Sequence, residues 1–127
     1  MARHLAGRGY SKTASRSALR ALKRLGYVND VAVALRVAQA RLGRRVMARA
    51  MLAAELEGRG FSAASIAQAV LGAYDDVVDE TVAARFLASL PIRYQEPERE
   101  RTRRAGLLRG RGFSFAVSEV VLGRMGD

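Results

Sequence analysis

One short phrase occurs three times in the chain, and its spacing constrains the fold more than any other feature. In letters it is L-x-G-R-G-aromatic-S, and its copies cover Leu5–Ser11, Leu56–Ser62 and Leu108–Ser114. The leucines that open the copies lie 51 and then 52 residues apart. A nearly fixed period of this length is typical of tandem structural repeats. The 127-residue chain is therefore predicted to contain three copies of one unit.

Each copy of the phrase is predicted to join the end of one helix to the start of the next. Its second glycine (Gly9, Gly60 or Gly112) can adopt the left-handed conformation that closes a helix, and the serine can cap the following helix. The aromatic residue is expected to pack back on the helix that it leaves. The alternative, a Gly-Arg-Gly cradle for phosphate, lacks the preceding strand and the Lys-Ser/Thr pair directly after a glycine that such loops have. We therefore interpret the phrases as structural joints.

The segments between the joints have helical periodicity, and none shows convincing strand alternation. Predicted helices cover 11–25, closed by Gly26, then 29–42, capped by Asn29 and broken at Gly43, and then 45–57. Others begin at Ser62, at Asp79 (ending near Leu90, before Pro91), at Pro97 and at Ser114. The predicted fold is all-α, with three helices to a repeat. The residues predicted to face the core are Val31, Leu35, Ala38, Leu42, Ala48, Leu52, Leu56, Ile66, Ala69, Val70, Ala73, Val82, Phe86, Leu90, Ala105, Leu108, Ser118, Leu122 and Met125.

The periodicity divides the chain into a partial first repeat (1–28), a second repeat (29–75) and a third repeat (76–127). Only the end of a second helix, Arg3–Arg8, precedes the first joint, so more than one helix of the first repeat is expected to be missing before Met1. Six aromatic residues lie mostly at joints or on apolar faces and are predicted core anchors: Tyr10, Tyr27, Phe61, Tyr74, Phe86 and Phe113. Phe115 lies off the apolar stripe of the last helix and is predicted to meet a neighbouring repeat or a partner.

The charge is strongly basic and unevenly distributed. Lys and Arg number 22 against 12 Asp and Glu, a formal net charge of +10, which favours a polyanionic partner or an acidic protein surface. Residues 1–28 hold seven bases and no acid, whereas residues 62–96 hold two bases and five acids. Four bases repeat along one face of the first predicted helix, opposite Ala14, Ala18, Leu22 and Leu25, and no acid offsets their mutual repulsion. These four are Arg16, Arg20, Lys23 and Arg24.

Two further groups complete the predicted filament- or nucleic-acid-binding residues. Arg44, Arg45 and Arg49 cluster near the start of the predicted 45–57 helix, where the helix dipole disfavours cations, so a partner is expected to offset that cost. Arg103 belongs to the arginine-rich helix that begins at Pro97. Because Glu100 can pair with Arg103 or Arg104 along that helix, this last cluster is expected to be partly structural.

The composition excludes the most common types of catalytic site. The chain has no Cys and one His, His4, so thiolate zinc sites, cysteine nucleophiles and histidine relays drop out. An acidic run could suggest a metal or acid–base site, but it lies where acids complement the start of a helix: Asp75, Asp76, Asp79 and Glu80. No enzyme activity, metal or cofactor is therefore predicted. No signal peptide or membrane span is recognisable, and a cytoplasmic protein is expected.

The triple phrase, the segment Leu22–Asp30 and the ending Leu107–Ser114 together resemble the RecX regulatory proteins of bacterial recombination. The resemblance covers nearly the whole chain and implies tandem three-helix, helix-turn-helix-like repeats in an elongated, curved arrangement. It also implies a monomer that binds the RecA filament on DNA, single- or double-stranded, and modulates its ATPase and strand exchange, mostly as an inhibitor, in DNA repair, homologous recombination and the SOS response. Two features depart from the family: the first repeat lacks its opening helix, and Ala48-Arg49 stands where Gly-Pro is usual.

Two other functions are compatible with the residues. One is a stand-alone DNA-binding protein or transcription regulator that uses a three-helix unit as a helix-turn-helix. The helix that begins at Ser62 would then be the reading helix, but Gln68 is its only long polar side chain, which suits base edges poorly. The other is a helical scaffold for proteins, which the basic first segment disfavours.

Overall fold

The computed structural model describes the backbone of residues 12–126 and the side chains of residues 15–123. Within that part every regular element is a helix, which confirms the all-α prediction. None of these helices is both long and apolar enough to cross a membrane. The six helices are α1 (Lys12–Arg44), α2 (Arg49–Gly58), α3 (Ala63–Tyr74), α4 (Asp79–Ser89), α5 (Pro97–Gly110) and α6 (Phe115–Gly126).

Helix α1 is one unbroken helix of 33 residues, so the predicted break at Gly26 and the predicted cap at Asn29 are wrong. Gly26 is followed by Tyr27, which reproduces the Gly-aromatic pair of the joints, but 41% of Tyr27 is exposed. An aromatic side chain that is not buried in a core does not hold the chain in a turn. A single glycine inside a helix costs only about 1 kcal/mol, so the helix continues. The predicted boundary between residues 28 and 29 consequently falls inside α1. Gly43 also lies within the helix, which ends one residue later.

The link between α1 and α2 is extended, so α2 begins at Arg49 and not at the predicted Arg45. Three hydrogen bonds hold this link in place. The hydroxyl of Tyr74 donates to the carbonyl oxygen of Met47 (2.7 Å) and the guanidinium of Arg111 donates to that of Val46 (3.0 Å). The Ala48 amide donates to the carbonyl oxygen of Arg111 (2.9 Å). The link is therefore fixed by α3 on one side and by the third joint on the other.

The apolar side chains form two clusters. The first joins the C-terminal half of α1 with α2 and α3, and Ala38, Leu52 and Leu56 are fully buried in it. The second joins α4, α5 and α6 around Phe86 and Leu108, with Ala48 of the link among its members. Every residue predicted to face the core from a helix is buried or half-buried in the structure, except Met125, which lies outside the described side chains. Among the predicted aromatic core anchors, Phe61, Tyr74, Phe86 and Phe113 are buried or half-buried and Tyr10 lies outside the described residues, but Tyr27 is 41% exposed and its prediction is wrong. The pattern of apolar residues was thus a reliable guide to packing.

The second and third joints have the predicted geometry, and both are Schellman motifs. Gly60 and Gly112 have φ angles of 95° and 87°. The amide of the following residue donates to the carbonyl five residues back, Phe61 to Leu56 and Phe113 to Leu108, at 3.3 and 3.1 Å. The next serine caps the following helix, with Ser62 Oγ accepting from Ser65 N and Ser114 Oγ from Val117 N. The first copy, Leu5–Ser11, lies outside the described residues.

Candidate nucleic-acid interface

The basic residues of α1 form an exposed row on a continuous helix. We call Arg16, Arg20, Lys23 and Arg24 the basic stripe; all four side chains are exposed. The ion pairs found among residues 15–123 involve none of them. Three of the four border a shallow hollow of about 270 Å³ together with Leu19. Because one helix carries the whole stripe, the spacing of its charges is fixed.

The opposite side of the same half-helix is apolar but uncovered by the described residues. Ala18 is half-buried, whereas Leu22 is 40% exposed and Leu25 is 60% exposed. Val28 follows with 58% exposure. The first core begins only at the next turn, where Val31 is half-buried and Ala34 is fully buried. The stripe is therefore carried by the part of α1 that extends beyond the first core.

The second predicted group, Arg44, Arg45 and Arg49, is divided between three environments. Arg44 lies in the last turn of α1, where the helix dipole favours a cation, and Arg45 lies in the extended link. Only Arg49 stands at the start of α2. The prediction that three arginines pay a dipole cost at one helix start is therefore wrong, because the helix starts four residues later than predicted. Arg44 and Arg45 are nevertheless exposed.

Arg49 is held by contacts within the protein. Its guanidinium donates to the carbonyl oxygen of Val77 (2.8 Å) and lies over the ring of Tyr74, 5.0 Å from the centroid. Its amide donates to Asp79 Oδ1 (3.1 Å), so Asp79 of the acidic run caps α2. Burial, reinforced by the nearby Asp79 carboxylate, raises the pKa of Tyr74 to about 12, although Arg49 opposes this shift. Arg49 thus has a structural role that its position in the sequence did not reveal.

Arg103 belongs to a network around the buried carboxylate of Glu100. Glu100 Oε2 accepts from Arg103 (2.9 Å) and from Arg104 Nε (2.7 Å), and Oε1 accepts from the amides of Arg93 and Tyr94 (3.2 and 3.1 Å). Burial alone would raise the pKa of Glu100, but these hydrogen bonds together hold it below its ordinary value. The network ties the segment before α5 to that helix. The expectation that this arginine cluster is partly structural is confirmed.

Two grooves that sequence reasoning missed lie between paired helices. The α2–α3 groove has a volume of about 910 Å³ and the α5–α6 groove about 880 Å³. All ten residues lining the α5–α6 groove lie 52 positions after a residue that lines the α2–α3 groove. These ten are Arg101, Thr102, Ala105, Gly106, Arg109, Phe113, Phe115, Ser118, Glu119 and Leu122. The spacing of the joints was the signal that could have located them, because it equals this offset.

The two grooves share their position but differ in chemistry. The α2–α3 groove is lined mainly by alanines and by Phe61, Ile66, Val70 and Leu71. At the corresponding positions of the α5–α6 groove, Phe115 replaces Ala63 and Arg109 replaces Glu57. Both grooves contain one arginine and one phenylalanine at matching positions, Arg49 and Phe61 in one and Arg101 and Phe113 in the other. The α5–α6 groove therefore differs by a second aromatic ring and a second arginine.

Comparisons with known proteins add no assignment to this geometry. The chain matches no family model, no curated protein and no solved structure. The four exposed cations of the basic stripe enter none of the ion pairs found among residues 15–123, and Arg44 and Arg45 add two further exposed cations.

Proposed function

We propose that the protein is a RecX-type regulator that binds the RecA filament on DNA and inhibits its ATPase and strand exchange. The observation that carries the proposal is the basic stripe, four exposed cations on one helix with no acid pairing them in the described part of the chain. The resemblance of the triple phrase supplies the partner. The protein acts by binding in this proposal and catalyses no reaction itself.

The same proposal includes an elongated, curved array of tandem three-helix repeats. Its support is local: two joints with the same hydrogen bonds, two capping serines and two grooves related by one 52-residue offset. One apolar cluster centred on α1–α3 and another on α4–α6, joined where Val82 packs against both, are also what repeats with mainly neighbour contacts produce. Such an array offers a long surface, which suits a filament better than a compact partner.

The stripe suits an extended anionic partner on physical grounds. Four like charges on one helix face repel each other, and exposed helix faces usually mix signs to gain pairs four residues apart. A nucleoprotein filament supplies regularly spaced phosphates and carboxylates that offset this repulsion and release counterions on binding. The stripe alone does not distinguish a filament from bare DNA, which would be the partner of a stand-alone DNA-binding protein.

Co-sedimentation separates these two partners. We expect the protein to pellet with RecA assembled on single-stranded DNA in the presence of a non-hydrolysable ATP analogue. It should pellet much less with the same amount of bare duplex DNA. Stronger association with bare duplex DNA than with the filament would reject the proposal and favour the stand-alone DNA-binding protein.

A further inference from the structure

Phe115 is exposed at a position where the fold does not require an aromatic ring. It is the first residue of α6, and 76% of it is exposed. The matching first residue of α3 is Ala63, which also follows a capping serine and also borders a groove. An alanine therefore serves the same local structure. Because an exposed ring gains little from burial, its presence at the edge of the α5–α6 groove points to a role outside folding.

Two arginines give the α5–α6 groove a cationic lining beside this ring. Arg101 and Arg109 both line the groove and are both exposed. The guanidinium of Arg101 donates to the carbonyl oxygen of Leu122 (2.7 Å), which holds it at the groove wall and leaves its remaining N–H groups for other acceptors. Glu119 is the single acid among the described lining residues. The groove thus combines an aromatic face with two exposed cations, one of them held at the wall by a hydrogen bond.

This combination of an aromatic ring and arginines suits single-stranded nucleic acid. A flat, uncharged ring attached to an anionic backbone can stack on Phe115 while its phosphates meet the arginines, which is how non-specific single-strand sites bind nucleic acid. A base in a duplex already stacks on its neighbours and has no free face for the ring. An apolar protein helix would find better contacts in the α2–α3 groove, where the corresponding positions are Ala63 and Glu57.

We propose that the α5–α6 groove binds single-stranded nucleic acid, with one base stacked on Phe115 and the flanking phosphates held by Arg101 and Arg109. This site is separate from the basic stripe and needs no recombinase. Its test with bare oligonucleotides can therefore fail while the proposed regulatory function stands, and the reverse is also possible.

A tryptophan introduced at position 115 reports the stacking directly. The chain contains no Trp, so Phe115→Trp supplies a single tryptophan fluorophore in the full-length protein. We expect single-stranded oligothymidine to quench its emission, because a stacked base contacts the indole face. The matched control is Ala63→Trp in the α2–α3 groove, which should be quenched little at the same oligonucleotide concentrations. Equal quenching of both variants, or of neither, would overturn the proposal.

Affinity measurements separate stacking from charge. Phe115→Ala should weaken oligothymidine binding at least about fivefold, with an unchanged melting temperature because the ring is exposed. On an abasic oligonucleotide of the same length the substitution should have no effect, whereas Arg109→Glu should weaken binding to both. Unchanged oligothymidine binding by Phe115→Ala, or equal competition by a duplex, would show that only charge attracts the nucleic acid and would refute the site.

Discussion

Replacing Gly112 by alanine is expected to lower the free energy of unfolding by about 2–5 kcal/mol, whereas Gly60→Ala should cost only about 1–2 kcal/mol. Both glycines have a left-handed φ angle, at which any Cβ is strained. They differ in their surroundings. A Cβ at Gly112 would lie 2.6 Å from Met51 Cβ, whereas a Cβ at Gly60 would meet nothing within 4 Å.

The additional loss of stability at Gly112 comes from the contact between the third joint and Met51. Met51 Cβ is fixed by the backbone of α2 and cannot rotate away, so the joint itself must move. That movement would disturb the neighbouring bond between the Ala48 amide and the carbonyl oxygen of Arg111. Urea denaturation of the two variants measures the difference. Equal losses of stability would show that the close approach of the third joint to α2 does not exist in solution.

Charge reversal of the basic stripe is expected to weaken association with the RecA filament by roughly tenfold or more, because four anionic contacts are lost. If the contacts are phosphates of single-stranded DNA, the slope of log K against log salt should fall by about three units, somewhat under one per residue removed. Contacts to acidic side chains of RecA should give a smaller change. The stability of the protein should stay within about 0.5 kcal/mol, since surface substitutions rarely do more.

The controls for this experiment come from the chain itself. Arg44→Glu and Arg45→Glu extend the test to the two exposed arginines beside the link. Arg49 is left unchanged, because its guanidinium binds the Val77 carbonyl and its reversal would disturb the fold. The matched negative control is Arg85→Glu with Arg93→Glu, two exposed residues of the acidic segment. Equal losses from the stripe and from this pair would show that total charge, and not a defined face, drives association.

Local sequence signals predicted the joints well because the interactions that form them are local. Gly60 and Gly112 are each followed by an aromatic residue that reaches a core and by a serine that caps the next helix. Gly26 carries the same Gly-aromatic signal, yet α1 continues through it because Tyr27 has no core to enter. The difference depends on packing between distant segments, which a local pattern does not contain.

The candidate site was less predictable for the same reason. The charge pattern identified Arg16 and Arg20 as part of one basic helix face, and it added Arg49 as a cation near a predicted helix start. Whether an arginine meets solvent or an internal carbonyl depends on which loop folds against it, here Val77 for Arg49 and Pro91 for Arg103. The two grooves depend on helix pairing, although the 51- and 52-residue spacing of the joints implied that corresponding surfaces would recur.

Inhibition of RecA by this protein is tested most directly by the rate of RecA-catalysed ATP hydrolysis on single-stranded DNA during strand exchange. Increasing amounts of the protein should lower the rate until the filament is saturated, and the yield of exchanged strands should fall with it. The basic-stripe variant should need a higher concentration for the same effect. An unchanged rate and yield at saturating protein would contradict the proposed inhibition.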